Sequence, residues 1–135
     1  MRRFAISNRA RPARHSWECW GPSFAPKSVT LIVVVFKNNA RLHLSLHAHG
    51  VKYDKTSEGA LYRDGTSGRD KSDDTVPPGG VHRYTWQAPE RSVPGPMDPS
   101  SIVWMHHSHT NETQDMDSGP IGPIIITRRG AGSAR

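Results

Sequence analysis

The chain predicts an all-β fold, and three observations carry that expectation. Glycine and proline number 12 and 11 among 135 residues, which suits many short strands joined by turns better than a helix bundle. Several segments of seven to nine residues alternate apolar and polar side chains with the period of two that a half-buried strand requires. The length gives one domain with a single core, and there is no internal repeat or heptad.

Taken in order, residues 1 to 28 are rich in Arg, Pro and Ser without strand or helix periodicity, and are expected to form an irregular basic leader. Val29 to Phe36 is β-branched and apolar throughout, as in a central strand covered on both faces, and Lys37-Asn38-Asn39 turns it. From Arg41 to His49, Leu42, Leu44, Leu46 and Ala48 share one face; Arg41, His43, Ser45, His47 and His49 share the other. Residues 52 to 80 are polar and acidic, closing on Pro77-Pro78-Gly79-Gly80, and read as a long loop. Val81 to Gln87 is a strand with His82, Tyr84 and Trp86 on one face, and Ala88 to Pro99 is a proline-rich loop. Ser101 to His109 is a strand placing Val103, Met105, His107 and His109 together, and Ile121 to Thr127 is a last strand. The boundaries are therefore a leader at 1–28, a domain at 29–129 and a tail at 130–135.

The formal net charge of +6 invites a nucleic-acid reading, but it lies in the ends. Residues 31 to 127 hold nine basic and eleven acidic residues, so no basic face on the folded body is expected and nucleic acid is set aside as a partner. The single cysteine, Cys19, supports neither an internal disulfide nor a cysteine-rich zinc site. Met1 to Cys19 lacks the apolar run of a secretory signal, and Val29 to Phe36 is too short to span a membrane.

The chemistry lies in two His-x-His pairs, His47-Ala48-His49-Gly50 and His107-Ser108-His109. On a strand, residues i and i+2 point the same way about 6.5 to 7 Å apart, so each pair aims two imidazoles in one direction. Two such strands side by side make a four-imidazole pocket, and neutral imidazole suits copper, zinc, iron or nickel. The plain alternative is four solvent-facing histidines at strand ends. Gly50 lets backbone come close to a metal or change direction.

HAHG, EGALYRDGTSGRDKSDDTVPPGG, WMHHSH and SGPIGPIII, in this order over about residues 31 to 129, resemble the N-terminal cupredoxin (plastocyanin-like) domain of multicopper oxidases. Within that family the motifs resemble the branch of ceruloplasmin and the coagulation-factor A domains. The resemblance implies a Greek-key cupredoxin β-sandwich whose His-x-His pairs supply half the imidazoles of a copper cluster that reduces dioxygen to water. A complementary cupredoxin domain, or a second subunit, supplies the other half. By the match of HAHG, His47 stands as a type 2 and His49 as a type 3 copper ligand; by the match of HSH, His107 and His109 stand as type 3 ligands.

Two departures limit that transfer. The family's type 1 copper needs a cysteine between the histidines of the second pair and ligands farther on, where this chain has Ser108, Thr113 and Ser118; Met116 is out of register and reads as packing. The chain also lacks the HxxHxH pattern of the complementary half, having Leu44 three residues before His47. His43, roughly 13 Å from His47 along a straight strand, reads as a surface or supporting residue. His106, facing away from His107, reads as packing.

In the coagulation-factor branch the acidic loop is similar to a calcium site. The matching positions are Lys55 by its carbonyl, Glu58, Asp64, Asp70, Asp73 and Asp74, and calcium takes six to eight oxygens. The alternative is a solvated acidic loop or ionic contacts to a neighbouring domain. Upstream, Trp20-Gly21-Pro22 stands where relatives carry a Leu-Gly-Pro segment that leads into a strand, and little else there corresponds. A frame-shifted or misplaced start is one reading, in which the domain lacks its first strand or strands and leaves a sheet edge open.

Three functions follow. One is a copper-binding half-site for dioxygen reduction, enzymatic only when complemented. Another is a non-catalytic structural or interaction module stabilised by calcium. The third, a cupin-type oxygenase, is disfavoured because no Glu follows either pair at the needed spacing.

Overall fold

The structure is a computed structural model that describes residues 3–7 and 30–128. The described residues form two sheets. The first contains β1 (Arg3–Ser7), β2 (Thr30–Lys37), β4 (Lys52–Tyr53) and β5 (Val81–Ala88) in the order β1-β2-β5-β4. The second contains β3 (His47–Ala48), β6 (Ser101–His107) and β7 (Ile121–Thr127) in the order β3-β6-β7. The chain crosses between sheets after β2, β3 and β5, so an all-β sandwich is confirmed.

The Val/Ile run is a central strand, as expected: β2 lies between β1 and β5, with Val33, Val34 and Phe36 buried. Asn38, at the turn after it, is buried but satisfied. Its side chain donates to the carbonyls of Leu42 and Val76, each at 2.7 Å, and accepts from the Ala40 amide at 2.9 Å. On β5 the period of two holds, with Tyr84, Trp86 and Ala88 facing inward.

Val34, Phe36, Leu44, Leu46, Ala48, Val76, Tyr84, Trp86, Ala88, Ile124 and Ile126 form the core between the sheets. Trp86, buried, and Trp104, partly buried, satisfy their indole N–H groups on the carbonyls of Ser57 and Ser92, both at 3.0 Å. Pro123 is tolerated in β7 because that strand is the edge of its sheet.

The structure differs from the sequence reading at three points. Within the leader read as irregular, Arg3–Ser7 is a strand, parallel to β2 in a register that opposes Phe4 to Val34 and Ile6 to Phe36. That strand pairs one edge of β2; pairing with an existing edge, rather than its own periodicity, sets its conformation. The segment 41–49 is a strand only at His47–Ala48, preceded by a bridge between Leu44 and Val76, and Leu42 is exposed. The reason is that Ser45 is buried too, so the segment does not divide into one wet and one dry face. A short helix not foreseen from the sequence, α1 (Glu112–Asp117), follows the second histidine pair. No helix among the described residues is long and apolar enough to cross a membrane.

Candidate metal centre

The strand register brings the two His-x-His pairs together. His47 on β3 is directly opposite His107 on β6, and cross-strand partners project to the same face. The His49 amide extends the ladder by donating to the Met105 carbonyl at 2.8 Å. His109, just past β6, is held by a bridge to Ala60. The ring centroids lie 5.0 Å apart for His47 and His49, 5.6 Å for His47 and His107, 5.2 Å for His47 and His109, 5.1 Å for His49 and His107, and 5.6 Å for His107 and His109. All four predicted imidazoles therefore share one cluster. It grades from buried His107 through half-buried His47 and His109 to exposed His49.

The backbone selects the nitrogens. His47 Nδ1 lies 2.7 Å from the Glu58 carbonyl and His107 Nδ1 lies 3.0 Å from the Ser108 carbonyl. A carbonyl only accepts, so each Nδ1 carries the proton and each neutral ring presents a bare Nε2. His49 Nε2 stands 2.9 Å from His107 Nε2. Two imidazole nitrogens come so close only with a proton or a cation between them. His109 Nε2 faces the Tyr62 hydroxyl at 3.4 Å and Glu112 Oε2 at 3.5 Å.

The electrostatics favour the neutral form of His47 and His49. Burial lowers the pKa of His47 below the usual imidazole value, against the Glu58 carbonyl, and the neighbouring His49, His109 and His107 lower it further. His49 is lowered by burial and by His107, with Glu112 opposing. Neutral imidazole is the form that ligates metal. Among the described residues no group of three or more His, Cys, Asp or Glu side chains is placed to hold a metal ion. The arrangement is one of pairs.

Glycines allow the approach of the surrounding loops. Gly59, at φ +68°, lies so close to the backbone before His47 that an added Cβ would stand 2.0 Å from the Leu46 carbonyl oxygen. That contact brings the Glu58 carbonyl to the His47 ring. Gly50, at φ +73°, lies against the Trp104 indole, where a Cβ would come within 1.9 Å of the ring.

Elsewhere the single-residue expectations divide. His43 is exposed, its Nδ1 3.2 Å from the Thr75 hydroxyl, and has no part in the centre. His106 faces away from His107, with a buried Nδ1 that lacks a partner and a pKa pushed down to about 4 by burial and by His107. Ser108 is fully buried, while Thr113 and Ser118 are exposed.

The acidic loop is only partly assembled. Lys55 Nζ lies 2.6 Å from both Glu58 and Asp64; Lys71 Nζ lies 3.2 Å from Asp64 and 2.9 Å from Asp74. Two ammonium groups thus sit among the carboxylates, raising the lysine pKa values and lowering that of Asp64. The Lys55 carbonyl accepts the Glu58 amide, Asp70 is exposed and enters none of these pairs, and Asp73 Oδ2 accepts the Gly59 amide at 2.7 Å. Asp73 Oδ1 and Asp74 Oδ1 are buried without hydrogen-bond partners, while Asp74 Oδ2 is held by Lys71.

Sequence reasoning missed two residues beside the centre. Ser45 read as one of a polar strand face, and Asp115 had no assigned place. An acid in a Gly-poor stretch directly after HSH was the available signal, but only the folded helix shows Asp115 to be buried.

A family model described as multicopper oxidase matches residues 16–131, upstream of the boundary read from the motifs. The chain is 45% identical over 111 residues to hephaestin of Homo sapiens, an alignment covering 82% of this chain and 10% of that protein. It is 40% identical over 126 residues to coagulation factor VIII of Homo sapiens, covering 93% and 5%. A crystal structure of a multi-copper oxidase from Pseudomonas thermotolerans superposes with a TM-score of 0.54 at 19% identity, covering 78% of this chain and 21% of that one. The chain belongs to the multicopper oxidase family, and its sandwich is a cupredoxin domain. It spans about a tenth of the length of hephaestin.

Proposed function

We propose that this domain is a copper-binding half-site. His47, His49, His107 and His109 would hold copper through imidazole nitrogen and share it with a complementary cupredoxin domain or a second subunit. The observation that carries the reading is the convergence of the two pairs, with the Nε2 atoms of His49 and His107 2.9 Å apart. The donor set fits copper, which takes imidazole readily. When bound, copper would supply dioxygen binding and paired electron transfer, the chemistry of a type 2 and type 3 cluster. The residues of this chain favour the neutral form of His47 and His49, leave Nε2 bare at His47 and His107, and flank the site with Tyr62 and the Glu58 loop.

The outer face of the second sheet supports a shared site. Val103 is 66% exposed; Met105 and Ile121 are exposed beside it, and Ile121 is the register partner of His107. This apolar surface, continuous with the histidines, suits burial against another domain. Without a type 1 centre in the described residues, the half-site takes its electrons from elsewhere and is an oxidase only when complemented.

The test is copper titration with electron paramagnetic resonance on the 135-residue chain. Binding lost on His47→Ala, His49→Ala, His107→Ala or His109→Ala, with no intense blue thiolate absorption, supports the reading. Binding that survives all four substitutions refutes it.

A second reading, a calcium-stabilised interaction module, is favoured by the buried Oδ1 atoms of Asp73 and Asp74, which have no partner. It predicts that calcium raises the melting temperature and that Asp74→Asn abolishes the rise. Without such a rise, Lys55 and Lys71 alone balance the loop.

A further inference from the structure

Between the two histidine pairs lies a buried chain of hydrogen bonds through Ser45, Ser108 and Asp115. The Ser45 amide donates to Ser108 Oγ at 3.0 Å, and the His109 amide donates to Ser45 Oγ at 3.0 Å. Ser108 Oγ donates to Asp115 Oδ2 at 2.6 Å, and the Asn111 amide donates to the same oxygen at 2.9 Å. Ser45, Ser108 and Asp115 are 1%, 0% and 2% exposed. A buried hydroxyl that both accepts and donates has no rotational freedom left, and a hydrogen bond to a carboxylate is about twice as strong as a neutral one.

We infer that Ser45, Ser108 and Asp115 form a cross-brace that positions His107 and His109 against His47 and His49 for metal binding. The two serines exchange bonds across the gap between the segments: each hydroxyl receives an amide of the other segment. Ser108 lies between the two histidines of its pair, so its bond to Asp115 sets the backbone from which both rings project. Ser45 lies two residues before His47 and holds the amide of His109 itself. Asp115, on α1, ties the second pair to the helix that follows it. The position that would carry a copper thiolate in a type 1 site is used here to hold ligands rather than to be one.

The inference rests on the copper reading for its effect on metal, but the brace has a metal-free signature. In the metal-free chain, Ser108→Ala should speed hydrogen exchange of the Ser45 amide, and Ser45→Ala that of the His109 amide. With copper, each variant should bind roughly tenfold more weakly, the scale found for groups that orient metal ligands. Their paramagnetic resonance spectra should broaden as the rings lose a single orientation. Ile126→Val, a core change on β7 away from the brace, serves as control: it lowers the melting temperature without moving copper affinity or spectrum.

Copper affinity and spectra unchanged in both serine variants, while His47→Ala abolishes binding, would overturn the positioning role and leave the copper reading intact. If the unsubstituted chain takes up no copper, the copper reading fails instead, and unchanged amide exchange would then sink the brace as well. Should Ser108→Ala fail to fold, Ser45→Ala, which removes only the acceptor of the His109 amide, decides on the same readouts.

Discussion

His49 Nε2 and His107 Nε2 stand 2.9 Å apart across the two strands that carry the histidine pairs. His107 has its proton on Nδ1, facing the Ser108 carbonyl, so in the metal-free neutral pair His49 donates the shared proton. Copper would displace that proton, and the two rings then act as one unit. His49→Ala and His107→Ala should each weaken copper binding by at least roughly tenfold. The double variant should lose far less than the product of the two, because either change already breaks the pair. Competition titration of the four proteins measures the coupling; strictly multiplicative losses would show that the rings bind separate ions.

Gly59→Ala should be among the most damaging single changes near the site. Its φ of +68° disfavours any side chain, and the new Cβ would meet the Leu46 carbonyl oxygen at 2.0 Å, backbone against backbone with no flexible group to yield. A loss of about 2–4 kcal/mol is expected, on the scale of strain plus overpacking. Because the Glu58 carbonyl must move, His47 should also lose its preferred tautomer. Urea unfolding measures the first effect, and nitrogen chemical shifts of the His47 ring measure the second.

The strand pattern was readable where one residue type repeated. Val29 to Phe36 announced β2 because a β-branched run has few other places to go, and Tyr84 and Trp86 announced the inner face of β5. The histidine pairs were readable because the period of two acts over three residues, so no long-range information was needed to aim His47 with His49. Their meeting was not readable from spacing alone; it depends on the register that sets His47 opposite His107. Ser45 and Asp115 were hidden for a related reason. A polar residue that is buried because another segment supplies its partners looks, in sequence, like a polar residue in water. The same holds for Arg3–Ser7, whose strand is defined by the edge it joins.

Acid should weaken the domain through His106. Its folded pKa lies at about 4, against about 6.5 when unfolded, because burial and the neighbouring His107 oppose its charge. Above pH 6.5 neither state binds the proton. Between 6.5 and 4 the unfolded chain takes it up first, so stability falls as pH falls, by roughly 3 kcal/mol across the window. His106→Phe removes both this dependence and the unpartnered Nδ1. Its advantage in melting temperature over the unsubstituted chain should therefore grow steadily from pH 7 to pH 4. A constant difference would mean that His106 is not the group responsible.

Tyr84 links the core to the His47 segment, and its hydroxyl tests that link. The ring is fully buried; its oxygen accepts the Leu46 amide at 3.2 Å and donates to the Asp73 carbonyl at 2.9 Å. Desolvation first, then the nearby Asp73 and Asp74 carboxylates, hold the phenol well above its usual pKa against the opposing Leu46 amide, so it stays neutral, as a donor must be. Tyr84→Phe keeps the ring but leaves an amide and a carbonyl buried without a partner, at a cost of about 1–3 kcal/mol for each unsatisfied group. The Leu46 amide immediately precedes His47, and the Asp73 side chain holds Gly59, so the substitution loosens the metal centre from two sides. Copper affinity should fall together with stability, in contrast to Ile126→Val, where stability alone falls. Equal copper affinity in Tyr84→Phe and the unsubstituted chain would show that the core hydroxyl serves folding only.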